Sequence, residues 1–138
     1  MKLKRFKEGV WVNYPKAVEV RFKVRPISFS SSLDVLNQVK EKKVIEGWPI
    51  DPKDASKKGP QVIDDFDNGA FLWKMFDRAL EEWDGIDSIP EGEEIPLAPL
   101  EVKRLIFDDD GMREFIFKTG RDLVGQEEKQ QEEERKNL

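Results

Sequence analysis

The chain has 138 residues, 38% of them hydrophobic and 38% charged, with a net charge of −5; this is one ordinary domain by length, with a modest core and much solvated surface. It has no Cys and no His, so disulfides, thiolate metal sites, His-based triads and the usual zinc sites are excluded, while carboxylate chemistry with magnesium is not. No apolar run approaches the roughly 20 residues of a membrane span, and the basic start MKLKRFKEGV has no apolar stretch behind it, so a soluble intracellular protein is expected. Residues 1–58 carry 14 Lys/Arg against 7 Asp/Glu, and residues 59–138 carry 10 against 22. That asymmetry fits two faces with different partners, head-to-tail self-association, or a basic hairpin lying on acidic helices of the same chain.

Residues 9–14 read as a short strand and Pro15-Lys16 as a turn. Val18, Val20, Phe22 and Val24 alternate with Glu19, Arg21, Lys23 and Arg25. A period of two this strict predicts a strand with one buried face, stopped by Pro26. Residues 9–26 are therefore expected to form a β-hairpin, which must lean on helices or on another subunit. Ser30-Ser31-Ser32 offers N-caps for a helix over 33–43, with Leu33, Leu36 and Val39 on one face. The Pro- and Gly-rich stretch 46–60 reads as a mobile loop, its Trp48 either a satellite core contact or an exposed contact residue.

Asp64, Asp65 and Asp67 precede the strongest helical stripe: Leu72, Met75, Phe76, Ala79, Leu80 and Trp83 at three-four spacing. Phe71 and Trp73 lie off the stripe, so the helix is either central in the core or part of an interface. Phe71, Trp73, Met75 and Phe76 are the candidate partner-binding or self-association residues. Asp108-Asp109-Asp110 starts a further helix, with Met112, Phe115, Ile116, Thr119 and Leu123 on its stripe. The tail 126–138 has no apolar residue before Leu138 and reads as a charged helix or a disordered segment. The expected fold is α+β and mainly helical: an N-terminal hairpin (9–26), the loop 46–60 and a helical part (64–124) making about four helices in all, within a single globular domain 1–125, followed by the polar tail.

No catalytic constellation and no metal site is expected. Asp64-Asp65-Phe66-Asp67-Asn68-Gly69 fails the calcium-loop register, because Phe66 falls on a ligand position and Met75 on that of the closing acid. Both Asp clusters are explained as helix caps. Lys2, Lys4, Arg5, Lys7, Arg21, Lys23 and Arg25, with Phe6, Trp11 and Tyr14, support an alternative reading as a small nucleic-acid-binding regulator; solvated strand residues explain the same pattern. There is no Gly-rich phosphate loop, GxSxG elbow or HExxH motif.

The segment WDGIDSIPEGEEIPLAPLEVKRLIFDD resembles one shared by tail assembly chaperones of long-tailed bacteriophages. In that family a helix ends in a Trp-x-Gly-Val/Ile turn, followed by an acidic Gly-containing loop, a hydrophobic-Pro-hydrophobic run and a Ser/Thr/Pro-started helix. The corresponding residues are Trp83, Gly85 and Ile86, then Glu91 to Glu94, then Ile95, Pro96 and Leu97, then Pro99 to Asp108. The DGIDSIP stretch is longer than in the tightest family versions, and the basic hairpin is not a family requirement. The resemblance implies a non-enzymatic, cofactor-free assembly factor that keeps the tape measure protein soluble during tail morphogenesis. It further implies self-association, a frameshifted longer form that reaches the tail tube protein, residence in the host cytoplasm and absence from the mature virion. Trp83, Gly85, Ile95, Pro96 and Leu97 are expected to be structural: Trp83 closing a helix at the core, Gly85 permitting a turn, and Ile95 to Leu97 returning the chain to the core.

Overall fold

The protein's computed structural model describes residues 9–137. The first strands are β1 (Val10–Asn13) and β2 (Arg21–Val24), paired antiparallel with Val12 opposite Phe22. The alternation of β2 does what its sequence requires: Val20, Phe22 and Val24 are buried, while Arg21 and Arg25 face solvent. Val18 is the exception, 91% exposed, because two tight turns fill the connection and the strand begins only at Arg21. Those turns are closed by Ala17 N–H donating to the Tyr14 carbonyl at 3.3 Å and Val20 N–H to that of Ala17 at 3.0 Å, and Tyr14 N–H donating to the Val20 carbonyl at 2.9 Å ties the two ends together.

Helix α1 (Phe29–Gln38) starts earlier than the serine triplet suggested, because Ser28 is the cap, its hydroxyl accepting from Ser31 N–H at 3.1 Å. The expected mobile loop 46–60 is not a loop. Residues 40–66 form a long antiparallel ribbon, β3 (Lys40–Asp51) and β4 (Asp54–Phe66). Its turn is Asp51-Pro52-Lys53-Asp54, with the Asp51 carboxylate accepting from Lys53 N–H at 2.9 Å. Proline presets the turn's φ, and the Asp side chain holds the next backbone N–H. Pro60 is tolerated because the register shifts beside it, between Ile45 and Trp48. Gly47 there takes a left-handed φ of 80°, the conformation a bulge of this kind asks of glycine.

Helix α2 (Asn68–Ala79) is capped by Asp67, which accepts from Ala70 N–H at 3.0 Å. It does not run on to Trp83. The backbone turns extended at Leu80, and β5 (Leu80–Asp84) pairs antiparallel with β2, giving a three-stranded sheet in the order β1-β2-β5. The fold is α+β, but its strands are not confined to an N-terminal hairpin, which corrects the mainly helical expectation. Helix α3 (Pro99–Asp108) begins on a proline, whose missing N–H costs nothing at a helix start. Asp109 caps α4 (Asp110–Lys136), accepting from Met112 N–H at 2.9 Å. Helix α4 runs 27 residues, so the polar segment after Gly125 is helical as far as Lys136.

One core joins the sheet to α2, α3 and α4. Tyr14, Val20, Phe22, Val24 and Leu80 meet Phe76, Ala79, Val102, Ile106, Ile116 and Leu123. Two aromatic groups knit it: Tyr14, Phe22 and Phe115, and Trp73, Phe76, Phe107 and Phe117, with centroid separations of 5.1–6.2 Å. This is the range in which tilted and edge-on rings attract. The β3-β4 ribbon stands outside that core; among the described residues its strands pair only with each other.

Candidate functional site

The most site-like feature is built by the segment that leads from β5 to α3. Gly85 turns the chain away from the sheet with a φ of 82°. Residues 86–98 then fold back on themselves: Leu97 N–H donates to the Ser88 carbonyl at 2.7 Å, and Glu93 N–H to that of Pro90 at 3.0 Å. The loop lies over the start of α4 and one face of α3. Between them is a cleft of about 160 Å³ walled by Ile86, Pro90, Leu97, Val102, Leu105, Ile106 and Met112, with Asp87 and Asp109 at its edge. Val102 and Ile106 are buried, whereas Leu105 is 53% exposed. Asp109 is pinned there by its capping bond. The same loop carries Glu91, Glu93 and Glu94, all exposed. Among the described residues neither these nor Asp87 and Asp109 make an ion pair. The cleft is therefore an apolar surface with two carboxylates, Asp87 and Asp109, among its lining residues.

The residues picked out from the sequence are distributed differently. Phe76 is fully buried and Met75 is 5% exposed, so neither is offered to a partner in this fold. Trp73 is half-buried, stacked on Phe76 and edge-on to Phe107, with the Arg104 guanidinium 4.2 Å from its ring; Phe71 is also half-buried. The four do not form one surface. Of the segment carrying the family resemblance, Trp83 sits in β5 opposite Phe22 and packs against the core. Leu97 packs against the core too, but Ile95 is 76% exposed and Pro96 is exposed. Only Leu97 of that run returns the chain to the interior. Leu105 and Met112 were missed as site residues; the signal was an apolar stripe on α3 (Val102, Leu105, Ile106) wider than one core contact needs.

The basic residues of β2, and Arg25 just after it, are paired from the neighbouring strand. Arg21 pairs with Asp84 at 2.9 Å, Arg25 with Glu81 at 3.0 Å and Lys23 with Glu81 at 3.8 Å, while Arg21 also lies over Trp11 at 4.9 Å. The Arg25 bond, with the Gly9 N–H bond behind it, holds the Glu81 carboxyl below its ordinary pKa, and the Arg21 bond does the same for Asp84. These cations are thus occupied by carboxylates of the same sheet rather than free for phosphates. Lys2, Lys4, Arg5, Phe6 and Lys7 lie outside the described residues.

A larger cleft of about 270 Å³ opens beside Ile27, Ser31 and Met75, but its two cations, Arg25 and Arg78, are already paired with Glu81 and with Asp34 at 2.6 Å. Among the described residues no cluster of three or more acidic side chains is placed to hold a metal ion, and no helix is long and apolar enough to cross a membrane. Asp67 and Asp109 act as caps, as their positions suggested, while Asp64 and Asp65 lie in β4 and pair with Lys40 and Lys43 at 2.9 and 3.4 Å. Compared with family models, curated proteins and solved structures, the chain matches none.

Proposed function

We propose that this protein is a tail assembly chaperone of a long-tailed bacteriophage, and that the cleft between residues 86–98 and α3 is where it holds an apolar segment of the tape measure protein. The observation that carries the proposal is the cleft itself. It is apolar, open, edged with carboxylates that lack cation partners, and formed by the stretch whose order of features resembles that family. An amphipathic client helix can place its apolar side chains on Ile86, Leu97, Leu105 and Met112, with flanking Lys or Arg meeting Asp87 and Asp109. Such binding covers apolar client surface and needs no cofactor and no bond chemistry. The protein then acts in the host cytoplasm and leaves before the virion is complete, and a longer frameshifted form links the client to the tail tube protein.

Co-expression with the tape measure protein of the same phage tests this. The client should move from the insoluble to the soluble fraction and co-purify with the chaperone. An insoluble client with no recoverable complex would sink the proposal. The nucleic-acid reading draws little support from β2 and the residue after it, because Arg21, Lys23 and Arg25 each pair with Glu81 or Asp84 of the same sheet.

A further inference from the structure

The junction between β4 and α2 carries an Asn68-Gly69 pair that neither the core nor the cleft calls for. Both residues are exposed, and they are the first two of α2. The backbone does not require glycine here. The φ of Gly69 is outside the left-handed region, and a methyl group added there would come no closer than 3.4 Å to Asp67 Oδ1. Alanine would fit, and it favours a helix more than glycine does.

The pair is placed for a reaction that helices normally suppress. Inside a helix, the N–H that follows an Asn is tied to the carbonyl four residues back. Gly69 is too near the start of α2 for such a partner, and among the described residues its N–H makes no hydrogen bond. Asp67, the cap, gives its carboxylate to Ala70 N–H instead, at 3.0 Å. The first buried residue of α2 is Met75, about two turns further on, so Asn68 can leave the helical conformation without uncovering the core. The other asparagines are placed differently. At Asn13 the following N–H, of Tyr14, is bonded to the Val20 carbonyl at 2.9 Å. At Asn37 the following residue, Gln38, lies in the last turn of α1, where its N–H belongs to the helix's own ladder. Asn137 is followed by Leu138, whose branched side chain hinders approach to the intervening amide.

We propose that Asn68 is a site of spontaneous deamidation, which converts it to isoaspartate and aspartate and loosens the start of α2. The Gly69 amide nitrogen gives up its proton to solvent and attacks Cγ of Asn68. A succinimide ring closes as the bond from Cγ to the side-chain nitrogen breaks, and that nitrogen takes a proton from water and leaves as ammonia. A second water then opens the ring. Opening at one carbonyl restores the main chain with an aspartate; opening at the other routes the main chain through the former side chain, as isoaspartate. Either product adds one negative charge. Isoaspartate also adds one carbon to the backbone between Asp67 and Ala70, which takes the capping carboxylate out of register with the N–H it holds. The reaction needs only water and does not depend on what the protein binds.

Mass spectrometry of the full chain, aged in mildly alkaline buffer and mapped peptide by peptide, tests this. The wild type should gain one mass unit at Asn68 well ahead of Asn13, Asn37 and Asn137, with isoaspartate the larger product. Gly69→Ala should fold with an equal or higher Tm and slow the conversion at least tenfold. Asn68→Asp should keep the wild-type Tm, whereas the purified isoaspartate form should melt lower. An Asn68 that stays intact, or converts no faster than the other three asparagines, overturns the proposal. So does equal conversion in Gly69→Ala, because the reaction then does not pass through the unhindered Gly69 nitrogen. An isoaspartate form that melts with the wild type overturns the loosening of α2.

Discussion

Gly85→Ala is the substitution that tests the geometry of the loop most sharply. Gly85 has a φ of 82°, and a methyl group added there would stand 1.8 Å from the Glu19 carbonyl oxygen and 2.7 Å from its carbon. Two costs add. A non-glycine residue in the left-handed region costs about 1–2 kcal/mol. Relieving a backbone clash adds roughly 1–3 kcal/mol more, the usual penalty of overpacking a site that cannot give way. Together these make about 2–5 kcal/mol, a large share of the roughly 5–15 kcal/mol that holds a domain folded. At about 3–5 °C per kcal/mol for a chain of this length, the Tm should fall by roughly 6–25 °C. Gly92→Ala is the control: its φ is also 82°, but nothing lies within 4 Å of the added carbon. Its cost should be the backbone component alone, about 1–2 kcal/mol. Urea denaturation of both variants separates the components. Equal losses for the two would refute the claim that Gly85 is required by its approach to Glu19.

Trp83→Ala should cost about 2–3 kcal/mol in urea denaturation, below the range of about 3–5 kcal/mol for a fully buried Trp, because Trp83 is only half-buried across from Phe22. Loss of client binding with an unchanged Tm would instead make it a contact residue. Glu81→Gln should lower the Tm at pH 7 and converge with the wild type in acid. The Glu81 carboxyl is held below its ordinary value of 4.5 by Arg25 and Gly9, so its contribution is complete above that pH and is lost as pH falls through the lower folded value. A gap between the two proteins that stays constant from pH 7 to pH 3 would contradict the assignment.

What could be read from the sequence follows from where a buried face exists. Val20, Phe22 and Val24 face a core, so their alternation announces β2; Val102 and Ile106, or Ile116 and Leu123, announce helices for the same reason. The ribbon buries neither face, so no alternation was selected along it, and its three prolines and two glycines read as a loop. The signal that was present is local. Asp51-Pro52-Lys53-Asp54 is a turn signature, flanked by KEKKVIEGW and KKGPQVIDDF. The passage from α2 to β5 was hidden by a coincidence of periods: Leu80 and Trp83 continue the stripe of Phe76 at helical spacing, yet lie in a strand. What decides for the strand is tertiary. The edge of β2 needs a hydrogen-bonding partner, and Asp84 and Glu81 meet Arg21 and Arg25 only from an extended segment. Met75 and Phe76 looked like contact residues because an unusually apolar helix suits an interface or a core equally, and here the core takes them. The cleft could not be read at all, since Ile86, Leu97, Leu105 and Met112 meet only once residues 86–98 fold back over α3.

The central claim is that the cleft holds the client, and a matched pair of charge insertions tests it most directly. Leu105 is 53% exposed within the cleft, and Leu100 is 61% exposed on the same helix outside it. Both proteins should fold with wild-type melting behaviour. In co-expression with the tape measure protein, the Leu100→Glu variant should keep the client soluble, and the Leu105→Glu variant should leave it aggregated, with affinity for the client reduced at least tenfold, or about 1.4 kcal/mol. Equal solubilisation by the two variants would contradict the account and place the client elsewhere on the molecule.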